Sequence, residues 1–129
     1  MMSRHPLILP LTPKVMNSMH TLIRKKNLII FGSHGRADGL GGGDLYYSRK
    51  DENGNWIPAV NMGPGINTGK LDFCPFIDVS RGNFYFSSNR MLIPDKKIEN
   101  PAELENLSNN ILNGMGNIYR INLIYLELK

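Results

Sequence analysis

Shifted by 55 residues, the sequence lies over itself: "KNLIIFGSHGR" (26–36) falls on "RGNFYFSSNR" (81–90). Both segments run basic residue, turn residue, apolar run, Phe, small residue, Ser, polar residue and Arg, with Gly35 as one extra residue ahead of Arg36. Each is followed by a glycine-bearing loop and a run headed by Asp or Asn. "GGGDLYYS" follows the first and "GMGNIYRI" the second, so Asp44-Leu45-Tyr46 falls on Asn117-Ile118-Tyr119. A fainter echo relates "LTPKVMN" (11–17) to "MGPGINT" (62–68). A unit of this size cannot bury its own apolar face, so a sequence that repeats one is expected to stack its units.

The repeated unit reads as strands. Leu28-Ile29-Ile30-Phe31 is a short apolar run between Asn27 and Gly32, and Asn117 to Asn122 alternates with period 2. Asn53-Gly54 suits a hairpin turn with positive φ, and Pro58 places the strand after it at a sheet edge, because proline cannot donate to a ladder. The strands expected are Met19 to Arg24, Leu28 to Phe31, Leu45 to Ser48 and Trp56 to Met62, then Phe73 to Val79, Asn83 to Ser87 and Ile118 to Ile121. One stretch departs from this pattern. Asn100-Pro101-Ala102-Glu103 supplies an N-cap, a first-turn proline and an acidic first turn, predicting a short helix from Pro101 to about Ser108 within a loop.

A four-stranded meander with a period of ~40–50 residues has the form of a β-propeller blade. The residues quoted resemble the TolB-type, WD-repeat-like propeller repeat, with its apolar-x-Phe-x-Ser-x-Arg, glycines and Asp-apolar-Tyr. They are similar to members in exported proteins of Bacteroidota. The Ser-Pro-Asp-Gly turn usual in that repeat is replaced by 24–27 in one unit and 79–82 in the other. The resemblance implies an all-β chain of about two four-stranded antiparallel propeller-type blades, an incomplete propeller with one short helix inserted in a loop. Residues 5–18 would end a preceding blade, 19–62 form a first, and 73–125 form a second with a loop insertion at 91–113. It further implies a non-catalytic module for protein or glycan interaction in the periplasm or cell envelope, a fragment of a larger propeller. The alternative is a fragment of a sialidase-like or other glycan-active enzyme.

The totals narrow the classes. Of 129 residues, 15 are basic and 11 acidic, and the charges are scattered, with short runs only at Arg24-Lys25-Lys26 and Lys96-Lys97. Nucleic-acid binding calls for a concentrated basic patch interleaved with aromatics, so none is expected. Cys74 is the single cysteine, which rules out an intrachain disulfide and a thiolate-based zinc site. His5, His20 and His34 stand at no ligand-like spacing. The run Leu7-Ile8-Leu9, between Pro6 and Pro10, is too short for a signal-peptide core or a membrane span, so neither is expected from this sequence.

The glycine stretch "GLGGGDLYYS" (39–48) admits several chemistries. A dinucleotide loop needs a helix after its glycines, and here a strand follows. A phosphate loop of the Walker type needs Gly-Lys-Ser/Thr, which is missing. Calcium would have Asp38 and Asp44 flanking the glycines of loop 36–44, fewer carboxylates than such loops usually offer. The favoured reading is a docking loop. Its glycines take φ > 0 and pass close to the next strand, and Asp44 and Asn117 each accept hydrogen bonds from backbone donors of their own loop.

No catalytic residue, metal site or cofactor is expected. "SRKDENGNW" (48–56) resembles the sialidase Asp-box, itself a structural turn. Arg36 and Arg90 hold equivalent repeat positions and are expected to serve the blade. Ser87-Ser88 has no partnered histidine, and Trp56 with Tyr46-Tyr47 reads as core rather than a ligand shelf. Open blade ends should leave some of Leu28, Ile30, Phe84 and Phe86 exposed and favour self-association.

Overall fold

The computed structural model describes residues 16–23, 26–91 and 97–126. Its strands form two antiparallel sheets, one of four strands and one of three. The first has β1 (Met16–Ile23), β2 (Leu28–His34), β3 (Asp44–Arg49) and β4 (Val60–Asn61) side by side in chain order. The second places β5 (Asp72–Asp78), β6 (Asn83–Ser88) and β7 (Asn117–Asn122) in the same way. The helix α1 (Pro101–Asn109) lies in the β6–β7 connection; the Asn100 side chain caps it by accepting from the Glu103 N–H, and none of its residues is buried.

The turns follow from local chemistry. Between β3 and the Trp56 bridge, Asp51 Oδ1 accepts from the N–H groups of Asn53 and Asn55, and Gly54 takes φ +80°. Only the glycine of the Asn53-Gly54 pair is left-handed, so this is a longer loop than a two-residue hairpin turn. The expected fourth strand, Trp56 to Met62, is shorter than its apolar pattern suggested. Trp56 makes a single bridge to Lys50, Pro58 has no N–H to give, and ladder pairing resumes at Val60. Meanwhile Ser48 Oγ donates to the Ile57 carbonyl, drawing the strand sideways before it rejoins β3. Met16 to Ser18, assigned from the sequence to the end of a preceding unit, pair with β2. Residues 5–15 and 127–129 lie outside the described residues.

The sheets share an irregularity. In β1, residues 19 and 20 occupy the space opposite Phe31; in β5, Cys74 and Pro75 occupy the space opposite Phe86. Such a bulge inserts an unpaired residue and bends the strand. In β5 it also accommodates Pro75 and the positive φ (50°) of Cys74.

The core lies between the sheets. Leu28, Ile30, Leu45 and Tyr47 on the first meet Ile77, Phe84 and Phe86 on the second, with Ile66 from the connecting segment. A second cluster of Ile29, Phe31 and Tyr46 sits on the opposite face of the first sheet, under Trp56 and Ala59. The expectation that Leu28, Ile30, Phe84 or Phe86 would be exposed is therefore wrong: they are 4%, 0%, 0% and 4% exposed. Alternation decides this, since residues two apart share a face and these four lie on the two faces that meet.

Positions that correspond along the sequence do not face one another. Ile29 and Phe31 point away from the second sheet, whereas Phe84 and Phe86, at the same register, point back toward the first. The sheets are stacked in one direction, front to back.

Candidate functional site

Three places combine polar chemistry with defined geometry. The first is a pair of arginine-capped aromatic stacks. In the first sheet Phe31 and Tyr46 stack at 6.2 Å, Arg36 lies over both rings at 5.5 and 4.9 Å, and its Nε donates to Ser33 Oγ at 2.9 Å. In the second, Phe86 and Tyr119 stack at 5.8 Å, Arg90 lies over them at 5.2 and 4.6 Å, and its Nε donates to Ser88 Oγ at 3.0 Å. A guanidinium over the negative face of a ring is attracted electrostatically while its fork stays free for hydrogen bonds.

Arg90 uses that fork as a clamp. Its Nη2 donates to the Ile66 carbonyl at 2.7 Å and reaches Asp72 Oδ1 at 3.4 Å. Asp72 is fully enclosed, its Oδ1 taking the Ser88 hydroxyl at 2.5 Å and its Oδ2 the Thr68 N–H and hydroxyl at 2.6 and 2.9 Å. A buried carboxylate needs this much compensation. The sequence reading began this strand at Phe73 and missed Asp72; its signal was a carboxylate one residue outside an apolar run. Asn67 was missed too. Buried, it accepts from the Leu45 N–H at 2.7 Å and donates to the Leu45 carbonyl at 2.9 Å, standing in for a strand neighbour.

The second place is the glycine loop. A Cβ on Gly41 would come within 2.4 Å of the Gly69 backbone, and one on Gly43 within 2.7 Å of His34 and Leu71. Gly43 accepts from the Asp72 N–H at 2.9 Å, so the loop lies directly against the start of β5. This is close approach, as expected, while the positive φ expected in the connection from β2 to β3 falls on Gly35 (φ 73°) rather than on the glycines of the quoted stretch. The left-handed glycines are 35, 54, 63, 82 and 114, and none lies in 39–43.

Asp44 Oδ2 accepts from the Leu40 N–H and from Asn61 Nδ2 at 3.1 Å. Asn117 holds the matching register opposite Ser88, as Asp44 does opposite Ser33, but it donates instead, from Nδ2 to the Ile111 and Met115 carbonyls at 2.6 and 3.3 Å. An amide can supply N–H where a carboxylate cannot, and the two loops present opposite groups. Asp38 accepts from the Tyr46 hydroxyl at 3.0 Å. Burial pushes the Tyr46 phenol up to about 12, with Asp38 adding to the rise and Asn61 opposing it. Among the described residues no three His, Cys, Asp or Glu side chains gather as metal ligands.

The remaining sequence candidates are dispersed. Ser88 is held by Asp72 and Arg90, His34 Nδ1 bonds the Gly42 carbonyl, and Tyr46 and Tyr47 lie on opposite faces of the first sheet, so they make no shared shelf with Trp56.

The third place is the outer face of the second sheet. Phe76 and Ile118 are 58% and 77% exposed there, beside Tyr85 and Ser87. They line an open groove of about 440 Å³ that includes Cys74 and ends at Asp78 and Arg81. Asp78 takes the Ser80 hydroxyl at 2.6 Å and pairs with Arg81 at 3.3 Å; the Ser80 bond leads in holding its carboxyl below the usual range. No helix among the described residues is long and apolar enough to cross a membrane.

No family model, no curated protein and no solved structure matches this chain.

Proposed function

We propose that the chain contributes two consecutive blades of a β-propeller scaffold, a non-catalytic module of a larger propeller that offers surfaces to protein or glycan partners in the bacterial cell envelope. The observation that supports this best is the matched front-to-back stacking. Corresponding strands carry the same bulge, the same Phe-Tyr stack and the same Ser-bound arginine, all pointing one way along the stack. Units related in this manner add successively, which is how blades build a ring. The envelope location rests on the sequence resemblance to exported repeat proteins.

A glycan-active enzyme would need two carboxylates facing one sugar. Among the described residues the buried carboxylates are Asp44 and Asp72, and both hold backbone and side-chain donors within the fold. The reading is tested by screening the chain on a glycan array and against fluorogenic sialosides. Binding without turnover is expected on the array if glycans are the partner, and no hydrolysis in either case. Release of the fluorophore, lost on substitution of Asp44 or Asp72 in a folded variant, would overturn the non-catalytic assignment.

A further inference from the structure

We infer that the tip of the loop after β3 is a site of spontaneous covalent modification. Asn53 cyclises onto the Gly54 nitrogen and is converted to isoaspartate, while Asn113, in the same Asn-Gly sequence, is kept intact by the fold. The inference is independent of the blade reading.

The chain carries Asn-Gly at 53–54 and again at 113–114. In such a pair the glycine nitrogen attacks the asparagine Cγ, and the absent Cβ leaves the approach open. The new C–N bond closes an imide ring. The bond from Cγ to the amide nitrogen breaks, and that nitrogen leaves as ammonia with the proton given up by the glycine N–H. Water then opens the imide. Attack at the main-chain carbonyl gives isoaspartate, and attack at Cγ gives aspartate. No oxidant or reductant is involved.

What the two sequences share, the structure separates. Asn53 and Gly54 are exposed, and among the described residues the Asn53 side-chain amide has no hydrogen-bond partner. Nothing lies within 4 Å of where a Gly54 Cβ would stand. The turn is held from Asp51 instead. Its Oδ1 accepts from the Asn53 and Asn55 N–H groups, its N–H donates to the Asn55 carbonyl at 2.8 Å, and its carbonyl accepts from the Gly54 N–H at 3.0 Å. Only the last of these engages the attacking nitrogen and must open.

Asn113 is fastened at every point the ring closure has to move. Its Nδ2 donates to the Ser108 carbonyl at 2.9 Å, and its Oδ1 accepts from the Met115 N–H at 2.8 Å. Its backbone is bridged to Met91, whose side chain lies 2.9 Å from where a Gly114 Cβ would stand. Asn113 therefore gives up both side-chain bonds and the bridge, against the single Gly54 bond at Asn53. That difference of about two net hydrogen bonds corresponds to roughly thirtyfold in rate.

The product changes the loop. Isoaspartate lengthens the main chain by a methylene and adds a carboxylate beside Asp51 and Glu52. It draws the Gly54 N–H off the Asp51 carbonyl, while the Lys50–Trp56 bridge and the Ser48–Ile57 bond keep the strand beyond in place.

The test is to age the folded chain in mildly alkaline buffer and follow both Asn-Gly peptides by mass spectrometry. An isoaspartyl methyltransferase with S-adenosylmethionine serves as the probe for the new carboxylate. Asn53 is expected to convert roughly thirtyfold faster than Asn113 in the fold, by the hydrogen-bond difference above. In denaturant the two rates should come close together, because only the fold distinguishes them. Asn53→Gln should remove methyl acceptance from the aged folded chain and leave its melting midpoint unchanged. Folded Asn53 as slow as Asn113, Asn113 as fast as Asn53, or a ratio indifferent to denaturant would each overturn the inference.

Discussion

Corresponding faces of the two sheets have opposite fates. Ile30 and Leu45 are sealed, whereas Phe76 and Ile118, which occupy the same face of the next sheet, lie open. Apolarity does not explain the contrast, since phenylalanine and isoleucine are as ready for burial as leucine. What differs is the presence of a neighbour. The second sheet covers the first and nothing described covers the second. Its open face is also somewhat more polar, with Asn83, Ser87 and Arg120 where the first sheet has Leu28, Gly32 and Tyr47.

Truncating across this divide should give the largest difference. Phe84→Ala empties a fully enclosed site between the sheets and should cost about 3–5 kcal/mol. Phe76→Ala on the open face should stay within about 0.5 kcal/mol in chemical denaturation. Equal losses at the two positions would mean that the outer face is covered in solution.

The arginine stacks offer the next test. Removing Arg90 leaves Asp72 enclosed with one cationic partner fewer, so Arg90→Ala should cost about 3 kcal/mol. Asp72→Asn should recover part of that loss when combined with it, because a neutral side chain no longer needs the cation. A double-mutant cycle reads this directly, and strict additivity would show that the pair is not coupled.

Close approach predicts the cost at the glycine loop. Gly41→Ala drives a methyl group into the Gly69 backbone and should destabilise by about 1–3 kcal/mol, whereas Gly65, with nothing near its Cβ, should accept alanine within about 0.5 kcal/mol. At Asp44, alanine deprives the Leu40 N–H and Asn61 of their acceptor, a loss of about 1–3 kcal/mol. Asp44→Asn keeps one acceptor oxygen and should cost less than half as much in the same denaturant series.

The smallest effect is a titration. The Tyr46 phenol is raised from 10.0 to about 12 in the fold, so the unfolded chain ionises first as pH rises. The stability this contributes is complete below pH 10 and lost between 10 and about 12. Comparing wild type with Tyr46→Phe across that window should show a wild-type decline that the variant lacks. Parallel curves would place the phenol in water.

Much of the fold was legible because it depends on local pattern. The strand cores at Leu28 to Phe31, Asn83 to Ser87 and Ile118 to Ile121 follow from apolar runs between turn residues, and the helix at Pro101–Asn109 from its cap and first-turn proline. The extent of the fourth strand was not legible, because a side-chain bond from Ser48 and the missing N–H of Pro58 decide where pairing resumes. Nor was the site at Asp72, whose partner Thr68 comes from the segment before it and whose partners Ser88 and Arg90 come from the end of β6 and just past it. The glycines of 39–43 could be read as special but not for which reason: the sequence shows a missing Cβ, and only the fold shows the backbone of Thr68 and Gly69 lying where that of Gly41 would be, and the side chains of His34 and Leu71 where that of Gly43 would be. By itself, then, the sequence determined the two similar strand sets and the turns between them, since period and turn chemistry act over a few residues. The tertiary structure decided the direction of stacking, and with it which of the two faces is sealed, because burial depends on a neighbour that local pattern does not specify.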